Sequence, residues 1–267
     1  MNRFKRMLRP IGIGFVVLGI LAALGFVERT ADRTPVSALD VKVKGAEGMH
    51  FIDEAAILRE IKDHGTAVEG APLGEVDVPS LEQRLRNLPS VARAEVYHTM
   101  DGVLHVKVEQ RVPIVRIFNR DGSSFYIDLE GYTMPLSNHY TARVPVVSGH
   151  LFEPGALLGV RSVYENDSVQ QRFLSDDIHR LALFLRSDPF WDAMIDQVVV
   201  NPSGEFELVP KVGAQRVLIG DGTDLQQRFA KLRLFYERGI PQADWRRYAR
   251  IDLRFADQIV CTKRPTP

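Results

Sequence analysis

The hydrophobic and polar positions of this chain follow three different rhythms in turn. The first is an unbroken apolar run, Ile11 to Val27, seventeen residues without a charged side chain. At 1.5 Å per residue a helix over this run spans roughly 25 Å, slightly short of the ~30 Å hydrocarbon core. Local thinning of the bilayer, or Arg9 reaching back to the headgroups, absorbs the difference. Arg3, Lys5, Arg6 and Arg9 precede it, whereas Arg29 and Arg33 behind it are mixed with Glu28 and Asp32. That bias predicts a transmembrane helix over 11–27 with residues 1–10 as a cytoplasmic tail. Two other readings stand beside it. A cleaved signal peptide has a shorter apolar core and a small-x-small cleavage site, which Phe26-Val27-Glu28-Arg29 does not offer; a buried core helix usually keeps a polar face.

The second rhythm is a mixture of period two and period 3.6. Residues 28–38 are polar, contain Pro35 and read as a linker. Leu39 to Lys44 alternates apolar and polar and predicts a half-buried strand ending at Gly45. Asp53 is an N-cap for a helix carrying Ile57, Leu58 and Ile61, with Gly65 as its stop. Asp77 or Ser80 caps a second helix with Pro79 in its first turn, Leu81, Leu85 and Leu88 on one face, and Pro89 as its end. Residues 91–98 and 103–110 then form a hairpin. A two-residue turn at Asp101-Gly102 would pair His98 with His105, the beginning of a metal site, but it sets Val108 opposite Glu95 and Val106 opposite Tyr97. A three-residue loop with Gly102 in the left-handed conformation instead pairs Val96 with Val106, Ala94 with Val108 and His98 with Leu104. One face is then apolar throughout, so this register is expected and the two histidines part.

From Val112 onward short strands dominate. Ile114–Phe118 and Phe125–Asp128 are expected as a hairpin about Asn119-Arg120-Asp121-Gly122, and Val144–Gly149 as a further strand. Helices are expected over about Ser168–Arg186, burying Phe173, Leu181, Phe184 and Leu185, and over Leu225–Arg238. Strands are expected at Ile195–Asn201, Glu205–Val209, Arg216–Ile219, Tyr248–Phe255 and Gln258–Lys263. The fold class is therefore α+β: the single helix, a β-α-α-β-β domain over 39–111, and a larger mixed-sheet β domain with flanking helices over 112–267.

Composition narrows the function. The chain has 34 basic and 34 acidic side chains, which argues against a nucleic-acid footprint. One cysteine, Cys261, excludes an intrachain disulfide and a cysteine-based zinc site. No nucleophile elbow, P-loop or His-Glu-x-x-His motif is present, and the seven histidines have no ligand spacing. Gly220-Asp221-Gly222-Thr223-Asp224 is too short for an EF-hand loop and reads as a turn with Thr223 or Asp224 as N-cap. Asp176 and Asp177, adjacent on a helix, do not converge as an acid/base pair. Arg246, Arg247, Arg250 and Arg254 beside Trp245 and Tyr248 are either a solvated surface or a partner contact. No catalytic residue, cofactor or metal is expected.

The last strand carries the remaining possibility. Its far edge is either an unpaired template for strand addition or an edge blocked by Lys263, Arg264, Pro265 and Pro267. The β-α-α-β-β order directly after an N-terminal anchor resembles a POTRA domain. Leu88-Pro89-Ser90-Val91, Leu104 to Pro113 and Tyr248-Ala249-Arg250-Ile251-Asp252-Leu253-Arg254-Phe255 are similar to segments of the bacterial FtsQ/DivIB division family. That family often has tryptophan at the place of Ser90 and tyrosine at that of Phe255. The resemblance implies a non-catalytic scaffold of the inner membrane at the division septum, single-pass, its C-terminal domains periplasmic. It implies FtsB and FtsL as partners and a role in recruiting or regulating the septal synthases FtsW and FtsI. It places partner contact at Arg254, Phe255, Gln258, Ile259, Val260 and Cys261. A POTRA-bearing component of membrane protein transport and a membrane-tethered cell-wall enzyme are the alternatives. The anchor is tested by N-terminal sequencing of the protein from cells: a start near Met1 is expected, and a start near Arg29 contradicts it.

Overall fold

The computed structural model describes residues 33–46, 48–63, 68–155, 159–165, 173–239 and 247–265, together with Gly19. Apart from Gly19, the expected span Ile11–Val27 lies outside them. Among the described residues no helix is long and apolar enough to cross a membrane. They form two compact units: the residues up to Gly45 with Ile52–Gln110, and Ala46–Phe51 with those from Arg111 onward.

The first unit runs β1 (Ala38–Lys44), α1 (Glu54–Asp63), a 3-10 turn (Leu73–Glu75), α2 (Val78–Arg86), β2 (Val91–His98) and β3 (Val103–Gln110). Both helix starts follow from their caps. Asp53 Oδ1 accepts the Ala56 N–H at 2.7 Å, and Asp77 Oδ1 accepts that of Ser80 at 3.0 Å. The sheet order is β1-β3-β2, with β1 parallel and β2 antiparallel to β3. Ile57, Ile61, Leu81 and Leu85 pack on Val41, Val96, Leu104, Val106 and Val108. The core also takes in Val36, whose N–H donates to Ala71 O at 2.8 Å, so this unit begins ahead of β1. In the hairpin Val96 faces Val106, Ala94 faces Val108 and His98 faces Leu104, the register in which one face is apolar. Gly102 has φ +88°, and a Cβ there would lie 2.7 Å from Pro35 O. His98 is exposed, and His105 on the opposite face approaches Asp40 Oδ2 at 2.9 Å through Nδ1.

The second unit contains β4 (Pro113–Phe118), β5 (Ser124–Asp128), β6 (Thr133–Met134), β7 (Val146–Gly149), α3 (Ser175–Ser187), α4 (Pro189–Met194), β8 (Ile195–Val200) and β9 (Phe206–Pro210). Then follow β10 (Arg216–Gly220), α5 (Leu225–Leu234), a π-helical turn (Phe235–Gly239), β11 (Tyr248–Asp252) and β12 (Val260–Lys263). The strands form one sheet in the order β12-β11-β10-β9-β8-β7-β4-β5-β6. Ile178, Leu181, Leu185, Trp191, Phe229 and Leu232 from the three helices share one core with Val198, Leu208, Val217 and Ile251 from the strands.

Several element ends differ from the expectation, each for a physical reason. Helix α3 starts at Ser175, with Phe173 ahead of it, while 168–172 lie outside the described residues. Its N-terminus is capped from a distance: the buried Glu153 carboxylate accepts the Leu174 N–H at 2.9 Å and the Ser175 hydroxyl in a closer contact. Helix α4, which the sequence reading lacked, starts where Asp188 Oδ1 accepts the Phe190 N–H at 2.9 Å, with Pro189 in its first turn. Helix α5 ends at Leu234 and passes into the π turn instead of continuing to Arg238. Asp224 is the N-cap residue of α5, with φ +51° and no side-chain cap bond, while the Thr223 hydroxyl donates to Asp221. Strand β11 stops at Asp252 and β12 begins at Val260, leaving a corner between them.

One buried polar network joins the end of β5 to α3. Arg111 Nη1 donates to Asp128 Oδ2 at 2.7 Å, both side chains at most 8% exposed. Asp128 Oδ1 accepts the N–H groups of Glu130 (3.0 Å) and Tyr132 (2.7 Å). His179 fits between Asp128 O (3.1 Å from Nε2) and the Tyr164 hydroxyl (2.6 Å from Nδ1). The carbonyl accepts only, so the neutral ring carries its proton on Nε2 and accepts from Tyr164 on Nδ1. Burial, opposed by the Leu129 and Asp128 backbone and the Asp128 charge, holds the His179 pKa below its ordinary value. The folded state therefore binds fewer protons at this site than the unfolded chain, and stability rises with pH here. The contribution is complete above about pH 6.5 and is lost as the pH falls below it. Thermal melts between pH 7.5 and 5 are expected to fall more steeply for wild type than for His179→Gln; parallel profiles would contradict the assignment.

Candidate functional site

The nine-stranded sheet ends in two unlike ways. At one end Thr133 of β6 donates its N–H to Arg161 O at 2.8 Å, and its hydroxyl oxygen accepts the Arg161 N–H at 2.9 Å. The same hydroxyl donates to Gly159 O at 3.0 Å, and the Val163 N–H reaches Gly131 O at 2.8 Å. Residues 159–163 thus close this end with the chain's own backbone. At the other end, among the described residues, β12 pairs with β11 alone: Val260 faces Asp252, Cys261 faces Ile251, Thr262 faces Arg250 and Lys263 faces Tyr248, with a bulge between Tyr248 and Arg250. The Arg264 N–H donates to Arg247 O at 2.8 Å. Because a strand alternates with period two, the N–H groups of Thr262 and Val260 also point at β11, and those of Lys263 and Cys261 point away from the sheet. Of the two edge strands of the first unit, β2 is guarded by comparison. The Val96 N–H of β2 is taken by Glu82 Oε1 of α2 at 2.9 Å, and Arg86 holds that carboxylate at 2.6 Å.

Side chains around β12 divide into two sets. Ile259 and Cys261 pack against the core of the second unit. Phe255 and Val260 point outward, 43% and 40% exposed, and Gln258 is exposed. Burial pushes the Cys261 thiol pKa up, the opposite of what a nucleophile needs. Arg254 is exposed, yet its guanidinium is forked onto neighbours: Nη2 to Asp252 Oδ2 at 2.7 Å, Nε to Asp252 Oδ1 at 3.0 Å and Nη1 to Glu205 Oε1 at 2.8 Å. Partial burial acts to raise the Asp252 pKa, and the Arg254 hydrogen bonds and charge outweigh it, leaving that carboxyl below its usual range. Arg250 pairs with Glu207 at 3.2 Å, while Trp245 and Arg246 of the expected basic cluster lie outside the described residues.

Other candidates for chemistry do not assemble. Among the described residues no group of three His, Cys, Asp or Glu side chains could hold a metal. The Asp221 carboxylate is engaged by its own turn, accepting from Thr223 Oγ1 at 2.8 Å and Arg228 Nη1 at 3.0 Å, which lower its pKa to about 2. Asp176 and Asp177 both pair with Arg180.

Among the described residues, then, β12 has a strand on one side only. Residues 112–262 match the family model described as FtsQ/DivIB, C-terminal related. The chain belongs to the FtsQ/DivIB family. Residues 36–109 match the POTRA-like domain model. The cell division protein FtsQ of Rhodothermus marinus is 30% identical over 78% of this chain and 73% of its own length. That of Salinibacter ruber is 27% identical over 98% of this chain and 95% of its own. Within this FtsQ/DivIB chain the Ile251-Asp252-Leu253-Arg254-Phe255 segment is the end of β11 and its corner. What sequence reasoning missed is the contrast between the two sheet ends. Thr133, Arg161 and Glu82 are ordinary polar residues in the sequence, and only the sheet order gives them a role.

Proposed function

We propose that the protein is a non-catalytic, bitopic scaffold of the division machinery whose partner adds a strand to β12. The observation that supports this reading is the asymmetry of the sheet: its own chain closes the β6 end, and β12 keeps outward N–H groups at Cys261 and Lys263. Strand addition satisfies such groups and gains specificity from alternate side chains, here Val260 with Phe255 at the corner. In this reading the FtsB and FtsL proteins are the partners, and through them the protein helps recruit or regulate FtsW and FtsI. Ile11–Val27 is the anchor in the inner membrane, the N-terminus is cytoplasmic, and both units lie on the periplasmic side at the septum. Arg254, Gln258, Ile259 and Cys261 shape the edge rather than supply catalysis.

Proline substitution separates outward from inward amides. Lys263→Pro removes an N–H that points away from β11 and leaves the native ladder intact. In full-length protein it is expected to weaken capture of an FtsB-type partner by about fivefold, the value of one hydrogen bond of roughly 1 kcal/mol, with little change in melting temperature. Thr262→Pro, which breaks a bond to β11, is expected to lower the melting temperature. Undiminished capture by Lys263→Pro would contradict strand addition at this edge.

A further inference from the structure

The corner between β11 and β12 is not closed by its own backbone: no backbone hydrogen bond forms within residues 254–259. A side chain of the helix layer gathers it instead. Lys231, in the last turn of α5, donates from Nζ to Leu253 O at 3.2 Å, to Ala256 O at 3.1 Å and, in the closest contact, to Phe255 O. An ammonium has three N–H donors, so three carbonyls account for all of them. Leu253 anchors the start of the corner, fully buried in the core with its N–H on Leu218 O at 2.9 Å. The Arg254 N–H is held by Asp252 Oδ1 at 3.1 Å. Beyond Leu253, then, the direction in which Phe255 points and the path into Val260 depend on side-chain bonds, and Lys231 supplies most of them.

We infer that Lys231 is a positioning residue for the β12 edge, keeping the corner in its binding geometry before a partner strand arrives. The inference rests on the strand-addition reading above. A binding edge populated only part of the time lowers the apparent affinity by that fraction. Lys231 donates inward to carbonyls and is not on β12, so its loss should slow capture rather than hasten release. Residues that touch a partner usually act the other way, through dissociation. The two roles therefore separate kinetically.

The test uses the full-length chain in lipid nanodiscs, with the FtsB-type protein of the same genome as probe. Lys231→Met keeps the apolar stem and removes the three donors. Association is expected to slow about tenfold with dissociation unchanged. Amide exchange at Arg254, whose N–H is held by Asp252 Oδ1, and at Val260, whose N–H points at β11, is expected to rise by about tenfold, while β8 and β9 keep their protection. Lys231→Arg, which still presents donors to the corner, is expected within about threefold of wild type. Should Lys231→Met not fold, Lys231→Gln, with two donors for three carbonyls, is expected to lie between. Unchanged exchange at Arg254 and Val260, or faster dissociation with unchanged association, would overturn the positioning role while strand addition stands. No binding by wild type would overturn strand addition, and the inference with it.

Discussion

A β-sheet must end twice, and each end presents backbone groups that need a partner. That constraint organises the second unit more than any single side chain does. At the β6 end the need is met internally, and the surroundings are built to keep it met. Asp128, at the end of β5, holds the turn into β6 through one carboxylate oxygen, Arg111 through the other and His179 through its carbonyl. A buried charge with this many partners is costly to disturb, since removing one leaves the other uncompensated. The β12 end is held differently. Its fixtures are the exposed Arg254, forked on Asp252 and Glu205, and the half-buried Lys231 on three carbonyls, and its outward amides have no backbone partner among the described residues. This asymmetry is what the proposed strand addition at β12 requires.

The first unit follows the same logic on a smaller scale. Its core is built from the alternation of β2 and β3 and the two capped helices, and its outer strand β2 has an amide occupied by Glu82. A charged side chain reaching over a strand edge is a common defence against unwanted pairing. Among the described residues the chain thus guards the β2 edge, closes the β6 end and leaves β12 with a strand on one side.

What the sequence made legible was set by how local the cause is. The hairpin register followed from alternation alone, because a one-residue slip would have put Glu95 and Tyr97 on the apolar face. The starts of α1 and α2 followed from Asp53 and Asp77, caps that act within a turn. The start of α3 was set too early because its cap, Glu153, lies 22 residues from Ser175. The expected strand Tyr248–Phe255 ran too long because neither the Arg254 fork nor the reach of Lys231 from α5 can be read from spacing. At the candidate site the last strand was identified, but which side chains face out was not: Val-Cys-Thr-Lys is too short and too mixed for a period-two reading, and the structure turns Ile259 and Cys261 inward.

The most direct measurement is residue-resolved amide exchange on the full-length protein with and without its FtsB-type partner. Strand addition at β12 predicts new protection at the N–H groups of Cys261 and Lys263, which point away from β11 in the free protein. Thr262 and Val260, already bonded inward, should change far less. Complex formation that leaves Cys261 and Lys263 exchanging as in the free chain, with protection appearing elsewhere, would contradict the account.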